Sequence, residues 1–308
     1  MSDYAYVADK ASKAFASVSR LEDALSKSPD DPALQLNLRS MRHRAAQALL
    51  EMERLAALNS IEICRYRIMP ADGHEYMLEH VSSSLLNYQL LFTQIYDSHK
   101  NGRKDRGKVG AETKKESALN FGFSYSGSLG VALLVRSDRG FFEGNLDKSI
   151  ETVYQILDLE TVDEVREVSN ILGRAVVKRV HDWAASNIAG MFAADIQWKR
   201  SDGRYLGKVV DIRDLANLVT IIDSTSDRKT YPVKVTGMLI GGNVSSRTFQ
   251  FHVSESETYV GHIADDADLP DLTLGHYYEA IIDVSEVYYY ATEKTEKTNM
   301  LKKLTTIT

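Results

Sequence analysis

The sequence predicts an α+β protein in three parts: an N-terminal antiparallel helical hairpin over 1–60, a central mixed α/β domain over 61–225, and a C-terminal small five-stranded β-barrel over 229–308. Three observations predict it. Before residue 60 the apolar residues step by three and four, the period of a helical seam. Between 61 and 225 the spacing switches repeatedly between helical and alternating. After Thr230 only short alternating segments remain. A chain of 308 residues is long enough for each part to bury a core.

The hairpin is the clearest element. Val7, Ala11, Ala14, Val18, Leu21 and Leu25 form one seam, and Leu34, Leu38, Met41, Ala45, Ala48, Met52 and Leu55 form a second. Between them Asp31 suits an N-cap, and Pro32 suits the first helical position, where a missing N–H costs nothing. Leu36, Leu49, Leu50 and Leu58 fall off the seam. Either the next domain covers them or a second hairpin does, completing a four-helix bundle. They are therefore the candidate self-association residues, and a homo-oligomer is the expectation.

In the central part, a strand at 61–69 leads through the Asp72-Gly73 turn to a helix carrying Leu85, Leu86, Tyr88, Leu91, Phe92 and Ile95. A polar, basic loop follows from Lys100 to Lys115. Strands from Leu119 to Tyr125 and from Leu129 to Arg136 flank a tight turn at Ser126-Gly127-Ser128. Helices are expected at 145–158 and, as one long piece, at 162–188. A strand from Ala194 to Lys199, a turn at 201–204, a helix at 211–223 and a polar hinge at 223–229 complete this part. The last part has five strand segments, around Tyr231–Ile240, Phe249–Val253, Tyr259–Ile263, Tyr277–Val287 and Met300–Ile307. Their size suits an SH3-like or OB-like barrel, which would also hide the strand edges.

Composition narrows the function classes. Hydrophobic and charged fractions of 44% and 26% are ordinary for a globular chain. A net charge of −6 gives no global attraction to nucleic acid or anionic membranes. Cys64 is the one cysteine, so there is no intramolecular disulfide, which fits a reducing compartment. No apolar run approaches the ~20 residues of a membrane span, and the N-terminus lacks a signal-peptide layout. A cytoplasmic protein without membrane attachment is expected.

Possible chemistry is sparse. Lys100, Arg103, Lys104, Arg106, Lys108, Lys114 and Lys115 make a basic stretch, and Arg174, Lys178 and His181 share one helix face. Together they could form a groove for phosphates, with Lys100, Arg103, Lys104, Arg106, Lys108, Arg174 and Lys178 as the candidate nucleic-acid-binding residues. From Lys229 onward the acids outnumber the bases, which suits a phosphate backbone poorly. Of Tyr288, Tyr289 and Tyr290, the middle one must face away from the other two, so at least one belongs to a core.

Asp195-Ile196-Gln197-Trp198-Lys199 resembles the second half of the PD-(D/E)xK nuclease motif, in which an acid holds a metal and the lysine orients water. Glutamine replaces the second acid, and no upstream aspartate is evident. His74, Glu75, Glu79 and His80 miss the zinc-protease spacing because Leu78 stands where histidine is needed. Gly122–Gly127 is followed by Ser128-Leu129, where a P-loop requires Lys-Ser/Thr. No Gly-x-Ser-x-Gly is present. No catalytic residue, metal ligand or cofactor site is assigned, and enzyme activity is not expected.

Two stretches, Tyr125-Ser126-Gly127-Ser128-Leu129-Gly130-Val131 and Val235-Thr236-Gly237-Met238-Leu239-Ile240-Gly241 with Arg247-Thr248-Phe249, resemble a group of uncharacterised bacterial and mobile-element proteins. These join an α/β domain to a C-terminal five-stranded barrel and are domains of unknown function. The resemblance spans 61–308 and implies architecture and a setting in phage–host or mobile-element biology, with no catalytic residues. The expected function is a non-enzymatic binding or assembly protein that self-associates and contacts a macromolecular partner. The alternative is nucleic-acid binding through the 100–115 loop, with a degenerate metal-dependent nuclease as its enzymatic version.

Overall fold

The structure is a computed structural model that describes residues 2–125, 129–136, 144–200, 202–243 and 245–307. The chain divides into two compact units, Met1–Ser224 and Thr225–Thr308.

The first unit begins with helices α1 (Ser2–Lys27) and α2 (Pro32–Leu58). Asp31 caps α2 by accepting from the N–H groups of Ala33 and Leu34, at 2.8 and 3.1 Å, as its position before Pro32 predicts. The two helices pack along Val18, Leu38 and Ala45, with Ala14, Phe15, Leu21, Leu25 and Met41 around them. Toward the hairpin's base the packing continues into the sheet. Met52 and Ala56 join Ile63, Phe123 and Ala132 in one core, with Leu49 packed against it. Leu49, one of the self-association candidates, is half-buried in this intrachain packing. Leu36, Leu50 and Leu58 stay 69%, 65% and 70% exposed.

The sheet comprises β1 (Ile61–Pro70), β2 (Asn120–Tyr125), β3 (Leu129–Arg136), β4 (Phe192–Lys199) and β5 (Tyr205–Val210), in the order β2-β3-β1-β4-β5. Every pairing is antiparallel, as befits an α+β arrangement. β1 is central, and its alternation divides the chemistry between two faces. Ile63 and Arg65 face the hairpin, where Arg65 pairs with Glu53.

Cys64 and Tyr66 face the helical layer formed chiefly by α3 (Leu78–Asn101), α5 (Asn145–Leu157) and α7 (Arg174–Ala189). There Trp183 Nε1 donates to the Tyr66 hydroxyl at 2.9 Å, and Trp198 Nε1 donates to the Tyr88 hydroxyl at 3.1 Å. Ser84 Oγ lies 3.0 Å from the Tyr66 hydroxyl and donates to Asn187 Oδ1 at 2.7 Å. These hydroxyl and indole groups are buried yet paired, so the aromatic core loses little to desolvation. Burial pushes the Cys64 thiol up to about 12, against a small opposing effect of its Tyr88 contact. The thiol is inert packing, not a nucleophile.

Several boundaries differ from the sequence expectation. The single helix expected at 162–188 is two, α6 (Val162–Leu172) and α7, broken at Gly173. The basic loop contains a short helix, α4 (Ala111–Glu116), and β5 follows directly on the turn after β4. The expected polar hinge at 223–229 is instead the end of α8 (Ile212–Ser224) and the start of β6 (Ser226–Asn243). The Ser126-Gly127-Ser128 turn lies outside the described residues. No helix among the described residues is long and apolar enough to cross a membrane.

The second unit contains β6, β7 (Thr248–Ser254), β8 (Glu257–Asp268), β9 (Tyr277–Tyr289) and β10 (Lys294–Thr306). Phe249, Phe251, Tyr278, Ala280, Ile282, Leu301 and Leu304 fill its core from alternate positions. Tyr290 is buried, its hydroxyl donating to Asp227 at 2.7 Å, so one of the three tyrosines is indeed core. The ladder runs β10-β8-β7-β6-β9 and returns from β9 to β10. The β8–β10 seam is its shortest stretch and the only parallel pairing among these ladders. The first three of these strands form a meander, and the third runs parallel to the fifth.

Candidate nucleic-acid interface

The two basic stretches, far apart in sequence, meet in the first unit. α3 ends at Asn101, and the following loop lies against the junction of α6 and α7. Lys104 N–H donates to Leu172 O at 3.1 Å, and Ala175 N–H donates to Lys104 O at 3.2 Å. These bonds occupy backbone groups that the end of α6 and the start of α7 would otherwise leave open.

Gly173 makes the approach possible. Its φ of 102° lies in the region that favours glycine, and a Cβ there would overlap the Lys104 backbone. Gly107 then lies against the Arg179 guanidinium, where a Cβ would stand 3.3 Å from Nη2. The loop is thus seated on the N-terminal half of α7, the half that carries Arg174, Lys178 and Arg179.

Ion pairing divides the candidate cations. Lys100 pairs with Glu116 at 2.6 Å, and Arg103 with Asp105 at 3.2 Å. Lys178 pairs with Asp182, which Arg179 also approaches at 3.7 Å. Burial opposes ionisation of Asp182, but bonding from His181 and Lys178 and the nearby Arg179 hold its carboxyl below the usual range. His181 turns to Asp223 at 3.1 Å rather than outward. Arg106, Lys108, Lys114 and Lys115 are exposed and have no ion-pair partner among the described residues. Lys104 is half-buried, its backbone fixed in the docked turn. Arg174 sits at the first turn of α7 and is also half-buried.

Beside α4 lies an open cleft of about 750 Å³, lined by Tyr96, Lys115, Glu116, Asn120 and Arg136 among others. Lys115 belongs both to this cleft and to the basic stretch. Arg136, at the end of β3, extends the cationic rim, and no local pattern signals this because it is contributed from a different element.

The nuclease resemblance meets an electrostatic obstacle. On β1, the residues opposite Asp195 and Gln197 are Arg67 and Arg65. Cations therefore stand where a metal site would need an acid from the neighbouring strand. Gln197 Nε2 also donates to both carboxylate oxygens of Asp195, each at 3.0 Å. Among the described residues no group of three or more His, Cys, Asp or Glu side chains is placed to hold a metal ion.

Other charged groups are structural. Arg200, Glu62 and Asp147 are buried together, with Arg200 paired to Asp147, 3.9 Å from Glu62 and 3.6 Å from Glu151. In the second unit, β7 and β8 contain no lysine or arginine.

No family model matches the chain, and no curated protein matches it. Two solved structures of CusF align with part of it, a silver(I) form and a tryptophan-substituted copper(II) form from Escherichia coli. Each is 12% identical over 25% of this chain, covering 99% and 92% of the respective CusF chains, with a TM-score of 0.18. At that TM-score the likeness carries no argument about this protein.

Proposed function

We propose that this is a non-enzymatic binding protein that holds nucleic acid on the surface formed by the 100–115 loop and the first half of α7. The observation that carries the reading is the backbone docking of Lys104 onto the α6–α7 junction, which holds a strongly basic loop against a second basic element. A fixed array of cations gives phosphates a track at little ordering cost, whereas a mobile loop loses entropy on binding. Arg106, Lys108, Lys114 and Lys115 are the side chains that contact phosphate. Lys100, Arg103 and Lys178, already paired, support the surface rather than supply most of its attraction. The overall charge of −6 makes the attraction local and therefore sensitive to salt.

The test is fluorescence anisotropy with single- and double-stranded oligonucleotides over a salt series. Reversing Arg106, Lys108 and Lys114 to glutamate should abolish binding near physiological salt. Single neutral substitutions should each reduce the slope of log affinity against log salt by about 0.7 to 0.9. A triple variant that melts like the parent and binds equally well would show that this surface is not the interface.

A further inference from the structure

The side of the hairpin turned away from the sheet is a groove, and we infer that it receives an acidic amphipathic helix of a partner protein. The groove has a volume of about 680 Å³. Lys10, Lys13, Ala14 and Ser17 line it from α1, and Arg44, Gln47, Ala48 and Glu51 line it from α2. Each set falls at i, i+3, i+4 and i+7, so each helix offers one continuous edge. Val7, Ala14, Met41 and Ala48 give the groove an apolar floor, and small side chains there let a third helix come close. From Val7 to Ser17 the edge is about 15 Å long, room for roughly three helical turns.

Charge selects the occupant. Glu51 is paired with Arg54 at 2.8 Å and Lys13 with Asp9 at 2.7 Å. Lys10 forms no ion pair among the described residues and acts only at longer range on Glu51 across the groove, and Arg44 on the opposite edge forms none among them either. An acidic helix with one apolar face satisfies both edges and the floor. Nucleic acid would leave the apolar floor unused. This inference is independent of the nucleic-acid reading, because it uses none of the residues assigned there.

The probe is a fluorescein-labelled synthetic peptide of about 14 residues with leucine along one helical face and glutamate on the other. It is titrated into the full-length protein beside a twin in which lysine replaces glutamate. The acidic peptide should bind saturably and its twin should not. Lys10→Glu with Arg44→Glu should weaken binding at least about tenfold, and Ser17→Trp, which fills the groove, should do the same. Both variants should melt like the parent and keep oligonucleotide binding unchanged. Absence of binding, equal binding of the twin, or insensitivity to both variants would overturn the inference. So would a dimer in sedimentation equilibrium that Ser17→Trp dissociates, since the groove would then belong to a second copy. Displacement of the acidic peptide by oligonucleotide would assign it to nucleic acid instead.

Discussion

His99 lies near the end of α3, with Nε2 2.9 Å from Thr152 Oγ1. Burial, with a smaller effect from Lys148, depresses its pKa below the ordinary histidine value. The folded state therefore resists a proton that the unfolded chain accepts. The contribution of this site to stability is constant above about pH 6.5 and declines as pH falls through that value toward the depressed folded pKa. Urea midpoints measured at about pH 7.5 and 5.5 should fall more for the parent than for His99→Gln, whose amide can still bond Thr152. Equal falls would remove His99 as the cause. Nothing in the local sequence distinguishes Arg200 from the surface arginines, yet it is buried beside Asp147 and Glu62. Only the meeting of β1, α5 and the end of β4 creates that environment.

The break between α6 and α7 is an element-scale feature with a single-residue cause. Apolar periodicity continues through 162–188 and reads as one helix, because the pattern does not register a single backbone conformation. Gly173 ends α6, and its N–H returns to Ser169 O at 2.9 Å. The loop then docks where a side chain would stand. Gly173→Ala should cost about 2 kcal/mol or more, from the disfavoured φ and the clash with Lys104. It should also loosen the basic loop, so oligonucleotide affinity should drop in parallel with the thermal midpoint. A variant as stable as the parent would contradict the docked geometry. The hairpin shows the reverse relation between pattern and structure. Its seam, its cap at Asp31 and its turn were legible from spacing alone, because local chemistry determines each of them. Leu49 was not assignable, since the partner for an off-seam leucine depends on where the sheet lies.

At the scale of the whole molecule, the two units have separate cores. The first is packed on both faces of its sheet, around Met52 and Ile63 on one and around Tyr66 on the other, and the second is packed around Phe249, Phe251 and Ile282. Chains with more than one such core generally depart from two-state unfolding. Differential scanning calorimetry should therefore give a calorimetric enthalpy larger than the van't Hoff enthalpy. The Gly173→Ala variant should shift only the component belonging to Met1–Ser224. A single transition with equal enthalpies would mean that the units unfold together.

The hairpin, the alternation of most strands, the α+β class, and the basic stretches at 100–115 and on α7 are legible in the sequence, because those features are written in spacing and composition. Strand alternation likewise shows that Tyr289 opposes its neighbours. Long-range contacts set the docking of Lys104 on Gly173, which cations are neutralised by Glu116, Asp105 and Asp182, and the placing of Arg65 and Arg67 opposite Gln197 and Asp195. They likewise set which strands are neighbours in the second unit, including the parallel β8–β10 pair. The physical reason is common to all of these. Periodicity reports which face of an element is buried, but charge partners, close backbone approaches and strand neighbours depend on residues far away in the chain.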